Sequence, residues 1–363
     1  MRSNPLNNFL VKKKMKNISI AGAGIAGLSA AFNLSKMGYS PIVYEKENCV
    51  GSSRDGDFEG IENWVFESNY SDFFKKIGFN ELEITNYSIK SFDVHSDLHD
   101  PISIKSQKPF FYLVKRGTKN NCLDYQLYNQ CVEMGVEFVF NKKIIVDDAD
   151  IIATGSKKAA AYIRGINFST SAKDQVHLLL GKNFAPKGYA YLIILNGEGT
   201  LATAFKKNSS KSKDPFSATL DYFKKIGIEM KGVNSFGGKG SFFFPKATFS
   251  YPYLVGEAGG FQDYLFGFGM RFSLLSGLTA AKAINGDKYY VKKTMKELKK
   301  KMRLSFINRM LYERLNDNQM LFIAKKIASS KEPIAYLSNA YKWNLKTIIN
   351  WIRLNKKNEI YSS

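Results

Sequence analysis

The sequence predicts an α/β protein: a parallel sheet of the dinucleotide-binding kind assembled from distant stretches of chain, strand-rich segments between them, and basic helices at the C-terminus. Three observations carry this expectation. Residues 18–28 read ISIAGAGIAGL, and Tyr44-Glu45-Lys46 follows one helix later. Residues 253–270 place an apolar strand before an acid and a run of glycines. Beyond Tyr290 the chain is lysine-rich, with apolar residues at helical spacing.

The first motif assigns a job to each residue. Ile18–Ala21 reads as a strand, and Gly22 permits a tight turn out of it. Gly24 lets the backbone approach a pyrophosphate, and Gly27 lets the following helix pack closely on the sheet. Ile25 and Ala26 open that helix, whose free N–H groups and positive dipole end favour phosphate. Glu45 stands 18 residues after Gly27, where an acceptor meets a ribose hydroxyl pair, with Lys46 beside it. Together these make a Rossmann-type dinucleotide site.

Two later segments fit the same sheet. Residues 112–155 contain Arg116, a helix predicted over Leu123–Met134, a strand at Gly135–Phe140, and the strand Asp148–Ala153 running into Thr154-Gly155. Residues 253–270 end a strand at Val255, then place Gly256-Glu257, Gly267, Gly269 and Met270 before a helix of small residues. Glu257 can bind a polyol hydroxyl, and the N–H groups near Gly267–Met270 can face the electron-rich edge of a flavin ring.

The chain has 363 residues, 44% of them hydrophobic, which makes it globular. Cys49, Cys122 and Cys131 show no CxxC pairing, which argues against zinc and iron–sulfur sites and fits a reducing compartment. Three histidines argue against a histidine metal centre. No apolar run reaches the ~18 to 20 residues that span a bilayer. Residues 1–16 lack the apolar core of a signal peptide; they read as a disordered basic arm, or translation starts at Met15. The net charge of +21 is uneven: residues 1–16 carry +5 and residues 289–363 carry +12, leaving +4 for the body. Attraction to an anionic membrane surface and a merely solvated surface are equal readings of those ends, with nucleic acid the weakest.

The GAGIAG…YEK start, the IIATG strand and the LVGEAGGFQDYLFGFGM segment resemble FAD-dependent oxidoreductases of the para-hydroxybenzoate hydroxylase fold, and most of all the geranylgeranyl reductase family. The resemblance covers residues 17–288. It implies one extended FAD, a mixed-sheet substrate domain over the flavin, and a C-terminal helical region. On that pattern residues 17–60, 112–165 and 250–288 form the FAD-binding domain, 61–111 and 166–249 the interleaved substrate domain, and 289–363 the basic helical end. Gly22, Gly24 and Gly27 fall at the pyrophosphate, Glu45 at the adenosine ribose, Arg54 and Arg116 near the phosphates or ribityl chain, Glu257 on the ribityl hydroxyls, and Gly267–Gly269 beside the isoalloxazine. The sequence departs from the pattern at Glu257, where aspartate is usual, at Thr154, and after Tyr191, where Phe-Pro is missing.

Between these pieces, strands are predicted at Val176–Leu180, Tyr189–Leu195 and Leu201–Phe205, and a helix over Asp214–Ile226. A polar loop is expected at 206–213 and a flexible approach at 236–240. Met295, Leu298, Met302 and Phe306 mark one apolar helix face. Residues 17–288 supply no nucleophile–histidine constellation, so the chemistry falls to the cofactor. Pocket candidates are Tyr189, Tyr191, Phe242, Phe243, Phe244 and Tyr251; such aromatics more often form ordinary sheet core, and if they face the flavin they suit a long apolar substrate. The expected function is reduction of C=C bonds in a prenyl or isoprenoid lipid by hydride from reduced FAD, with Tyr191 as proton donor. NAD(P)H or an electron-donor protein would serve as reductant. The expected location is the cytoplasm, with peripheral attachment to the membrane's cytoplasmic face. The alternatives are an FAD-dependent monooxygenase on a small aromatic substrate and a catalytically decayed flavoprotein scaffold.

Overall fold

The computed structural model describes residues 16–356, apart from residue 55 and residues 146–147, 157–160, 207–213 and 241–248. The arm at 1–15, nearly all of the polar loop, and Phe242, Phe243 and Phe244 therefore lie outside the described residues. The strand Asn17–Ala21 sits at the centre of a five-stranded parallel sheet, in the order Tyr253–Leu254, Ile151–Ile152, Asn17–Ala21, Ser40–Tyr44, Glu137–Val139. Ile18, Ile20, Val43 and Ile151 are fully buried where the sheet packs into the main core. The helices Ile25–Lys36, Leu123–Glu133 and Met270–Ile284 pack around it. Small residues set their spacing: a Cβ on Gly277 would lie 2.2 Å from the Ala26 carbonyl oxygen.

A second, seven-stranded sheet runs Lys231–Gly240, Ala161–Ser169, Glu198–Phe205, Tyr189–Leu195, Gln175–Leu179, Ser91–His95, Ile102–Lys105. It is antiparallel except where Gln175–Leu179 meets Ser91–His95. The helix Pro215–Lys225 covers one face, burying Phe223 with Ile166, Phe168, Leu192 and Leu201. A small antiparallel sheet of Phe58–Glu62, Phe111–Lys115 and Tyr87–Ile89 joins the two larger ones.

Residues 236–240 differ from the expected flexible approach. They end the edge strand Lys231–Gly240, paired antiparallel with Ala161–Ser169. The Phe236 ring covers the bare face of Gly165, where a Cβ would sit 2.3 Å from it, and this shielding orders a glycine-rich edge. The expected division of the chain also shifts. Within 61–111, Trp64, Phe66, Phe73 and Phe74 join the main core, while Ser91–His95 and Ile102–Lys105 extend the seven-stranded sheet. Residues 161–165 belong to that sheet as well. The C-terminal helices Lys288–Tyr312, Asp317–Ala328, Pro333–Asn339 and Leu345–Lys356 are part of the body: Met295, Leu298, Met302 and Phe306 are buried in its main core.

Under the helix Pro215–Lys225, Asp93, His95 and His177 come together. Gln175 Oε1 can only accept, so His177 Nε2–H donates to it at 2.6 Å. His95 Nε2–H then donates to His177 Nδ1 at 2.8 Å, and the Tyr222 hydroxyl donates to His95 Nδ1 at 3.1 Å. Burial, with the neighbouring His177, holds His95 down at about 4, and burial lowers His177 too. A base depressed on folding contributes stability above its unfolded pKa of ~6.5, which is lost as pH falls toward the folded value. His95→Gln is therefore expected to flatten the decline in melting temperature between pH ~6.5 and about 4. An unchanged decline would show that this network does not govern acid sensitivity.

Candidate active site

The first motif folds as its residues dictate. Gly22 adopts φ 101°, and a Cβ there would lie 2.6 Å from the Ala153 carbonyl oxygen. The helix Ile25–Lys36 starts from Gly24 with no side-chain cap, and nothing lies within 4 Å of where a Gly24 Cβ would be. The first-turn N–H groups of Ile25 and Ala26 thus open onto a cavity, an anion seat ready made. Glu45 accepts from Ala23 N–H at 2.7 Å and from Glu47 N–H at 3.1 Å, which places its carboxylate on the cavity wall beside the turn. Lys46 is exposed on the same wall and pairs with Glu47 at 2.8 Å.

The second glycine segment closes the other side. Gly256 has φ 59°, and a Cβ there would meet Ala26 Cβ at 2.9 Å; its N–H donates to Ser276 Oγ at 2.8 Å. Glu257 is half-buried beside it, and burial pushes its carboxyl up. Gly267 turns with φ 82°, and Gly269 starts the helix Met270–Ile284, again with no side-chain cap. Thr154, Gly155, Gly267, Gly269 and Met270 all line the cavity that Gly22 and Gly24 line, so two uncapped helix N-termini face one space.

Arg54 and Arg116 also reach this cavity, inside a carboxylate cluster that the sequence reading missed. Arg116 Nε and Nη2 donate to the two oxygens of Asp124, each at 2.8 Å, and Nη1 donates to Glu59 at 2.6 Å. Three of its N–H groups are thereby engaged, so Arg116 anchors the wall rather than standing ready for phosphate. Arg54 Nη1 donates to Glu59 at 3.2 Å. Burial alone would push Glu59 and Asp124 up; the Arg116 guanidinium overrides it and holds both below the usual carboxylate range. Asp57 has no such clamp: burial, and then the Glu59 charge, push it up to about 6.

The cavity, about 1510 Å³, exceeds the ~300–1,000 Å³ of a single drug-sized ligand site. Beyond the glycine turns it passes Tyr189 and Tyr191 and continues between Val94, Leu180, Leu311, Met320, Ile323 and Leu337. That part of the cavity is a mainly apolar arm, lined in part by the C-terminal helices, with Asn308, Arg309, Arg314 and Gln319 as its polar members. Tyr189 donates to the Phe266 carbonyl, and burial raises both tyrosines well above the ordinary phenol range. Tyr251 is different: it is 64% exposed and donates to Asp150 at 2.9 Å, away from the cavity, because its segment edges the parallel sheet. Three C-terminal side chains that sequence reasoning missed hold the walls. Tyr341 donates to Asp263 at 2.9 Å, Tyr312 to the Gly188 carbonyl at 2.6 Å, and Arg309 to the Lys187 carbonyl at 2.5 Å. Asp263 in turn accepts from the Leu265 and Phe266 N–H groups, fixing the loop before Gly267.

Residues 20–71 match an NAD(P)-binding Rossmann-like domain. Among solved structures, the chain is similar to a geranylgeranyl bacteriochlorophyll reductase-like protein from Thermoplasma acidophilum: TM-score 0.67, 16% identity, covering 95% of this chain and 100% of that one. The chain shares that protein's fold. That flavoenzyme fold, of the para-hydroxybenzoate hydroxylase type, also appears in the flavin-dependent halogenase CmlS, with TM-score 0.55 and 15% identity over 96% of this chain and 79% of the other. The peptidyl tryptophan dihydroxylase QhpG shares it at TM-score 0.53 and 13% identity, covering 88% and 80%. A Caenorhabditis elegans lysine-specific histone demethylase 1 is 21% identical over 291 residues, 74% of this chain but only 36% of that protein. The chain thus spans about a third of that relative's length.

Proposed function

We propose that the protein is an FAD-dependent oxidoreductase that reduces carbon–carbon double bonds of a long isoprenoid lipid. The observation that carries this reading is the cavity itself, one space lined by two open helix N-termini, the paired tyrosines and a mainly apolar arm. The residues present fit the dinucleotide. Gly24 leaves space for a phosphate, Glu45 and Glu257 offer carboxylates to hydroxyl groups, and the turn at Gly267–Gly269 leaves room for a flat ring. Bound there, FAD supplies hydride chemistry, and NAD(P)H or an electron-donor protein supplies the electrons.

The chain's own residues do the rest. The apolar arm threads and orients an aliphatic chain, whose own apolar surface displaces water from it. The Tyr191 phenol stays protonated because burial pushes its pKa up, and it holds a proton on the wall of the cavity that would take the flavin. Asp57, on the same wall and pushed up to about 6, exchanges a proton closer to neutral pH than an ordinary carboxyl and can relay one to the wall. The reading puts the protein in the cytoplasm, held peripherally at a membrane; no helix among the described residues is long and apolar enough to cross one.

The test begins with the visible spectrum of the purified protein and the mass of any released cofactor, which is expected to be FAD. Under anaerobic conditions, the reduced protein is then expected to add two hydrogens per double bond to an isoprenoid lipid. Tyr191→Phe should keep the spectrum and slow that reduction by about 10²-fold or more. An unchanged rate would remove Tyr191 from the proton path. Oxygen uptake coupled to NAD(P)H, with oxygen in the product of a small aromatic substrate, would replace the reductase by a monooxygenase. Bound FAD that no donor reduces would leave a scaffold.

A further inference from the structure

We infer that the open end of the apolar arm, between the helices Asp317–Ala328 and Pro333–Asn339, is a docking face for an anionic lipid bilayer. The inference deepens the lipid reading above and rests on it for its purpose. Ile323 and Tyr336 both line the cavity and are 37% and 41% exposed, so the arm meets solvent at these two helices. The helix Asp317–Ala328 buries Met320, Leu321 and Ala324 and turns Phe322, Lys325 and Lys326 outward. Their spacing of three and four residues puts them on one helical face. Phe322 is 60% exposed, and the Lys326 ammonium lies 5.4 Å from its ring centre.

Charge favours a bilayer over a protein partner. Residues 318–353 hold six Lys/Arg against one acid, Glu332. Lys325, Lys326, Lys331, Lys342 and Arg353 are all exposed. The last helix repeats the pattern, exposing Leu345, Ile348, Ile349 and Ile352 with Arg353. A protein–protein interface concentrates apolar residues at a core depleted of charge. Apolar residues interleaved with lysines suit a membrane surface instead, where rings and aliphatic groups enter the headgroup boundary and cations meet anionic lipid. The portal then opens against the phase in which an isoprenoid chain is dissolved, and the substrate need not cross water.

Vesicle flotation of the full chain tests this. The protein is expected to float with phosphatidylcholine vesicles containing phosphatidylglycerol, to stay behind with phosphatidylcholine alone, and to be released by salt. The triple variant Phe322→Asp/Lys325→Glu/Lys326→Glu alters exposed positions only, so circular dichroism should match the wild type. Its vesicle affinity should fall by ~tenfold or more. Wild-type affinity in the variant, equal flotation with neutral vesicles, or no flotation at all would overturn the inference. So would a dimer, seen by light scattering, that Phe322→Asp dissolves while vesicles are ignored, since the face would then belong to a second copy. The readout needs no turnover. A chain that floats as expected yet reduces no lipid refutes the proposed reaction and leaves the docking face standing.

Discussion

Gly27→Ala is expected to yield a colourless, destabilised protein, while Gly24→Ala yields a colourless but stable one. The difference lies in what each added methyl group meets. At Gly27 a Cβ would lie 2.1 Å from the Gly22 carbonyl oxygen and 3.2 Å from Ala153 Cβ. Neither is the end of a flexible side chain, so the helix has to lift from the sheet. That helix is buried at every position from Ile25 to Leu34, and lifting it disturbs the centre of the core. Overpacking of this kind costs on the order of 2 kcal/mol and moves the turn that would seat the phosphates. At Gly24 a Cβ meets nothing within 4 Å, and φ is an ordinary −70°. The methyl group then competes only with the dinucleotide. Thermal melts of both apo variants, read beside their flavin content, separate the two roles. A Gly27→Ala protein that melts normally and keeps its colour would contradict the closeness seen here.

Arg116→Met is expected to cost ~3–5 kcal/mol at neutral pH, because it leaves the buried Asp124 without its cation and Glu59 with only the exposed Arg54. The pH dependence has a definite sign. In the wild type both carboxyls are held below their ordinary values, so their contribution is present above the unfolded pKa of ~4 and is lost as pH falls through the depressed values. Without Arg116, burial pushes the Asp124 carboxyl up, and the variant gains stability as acid protonates it. Melting temperatures of wild type and variant should therefore lie far apart at neutral pH and converge toward pH ~4. Arg116→Lys should recover only part of the loss, since a single ammonium cannot serve both oxygens of Asp124 and reach Glu59 in one plane. A constant gap across pH would show that the cost is packing and not unpaired charge.

How far these sites can be read from sequence depends on the range of the physics involved. Gly22, Gly24 and Gly27 answer to sterics within a few residues, and Gly267 and Gly269 likewise, so their turns could be placed before any tertiary contact was known. Helix Leu123–Glu133 and strand Tyr189–Leu195 follow from local periodicity in the same way. Arg116 was recognisable as an arginine of the site, but its clamp on Glu59 spans 57 residues and nothing local announces it. Asp57 reads as one more acid in a polar stretch until burial raises it. The arm's outer wall, with Leu311, Met320 and Ile323, consists of positions whose helical spacing marks them as apolar without saying what they face. Residues 236–240 show the reverse error: glycine content argued for a loop, and pairing with an already formed strand overrode it.

The order of the central sheet bears on how the protein is made. Its middle strand is made well before its partners, since Ser19 hydrogen-bonds to Asp150, 131 residues later, and the far edge waits for Tyr253–Leu254. The same core then takes in Phe306, Met320 and Tyr341. For most of translation the nascent chain therefore carries apolar faces whose partners have not been synthesised, the condition under which growing chains aggregate or are held by chaperones. A chain stalled before Met320 would lack a wall of its own cavity. A fragment cut within the last helices would therefore keep the sheet but leave exposed the part of the core that Met320 and Tyr341 complete.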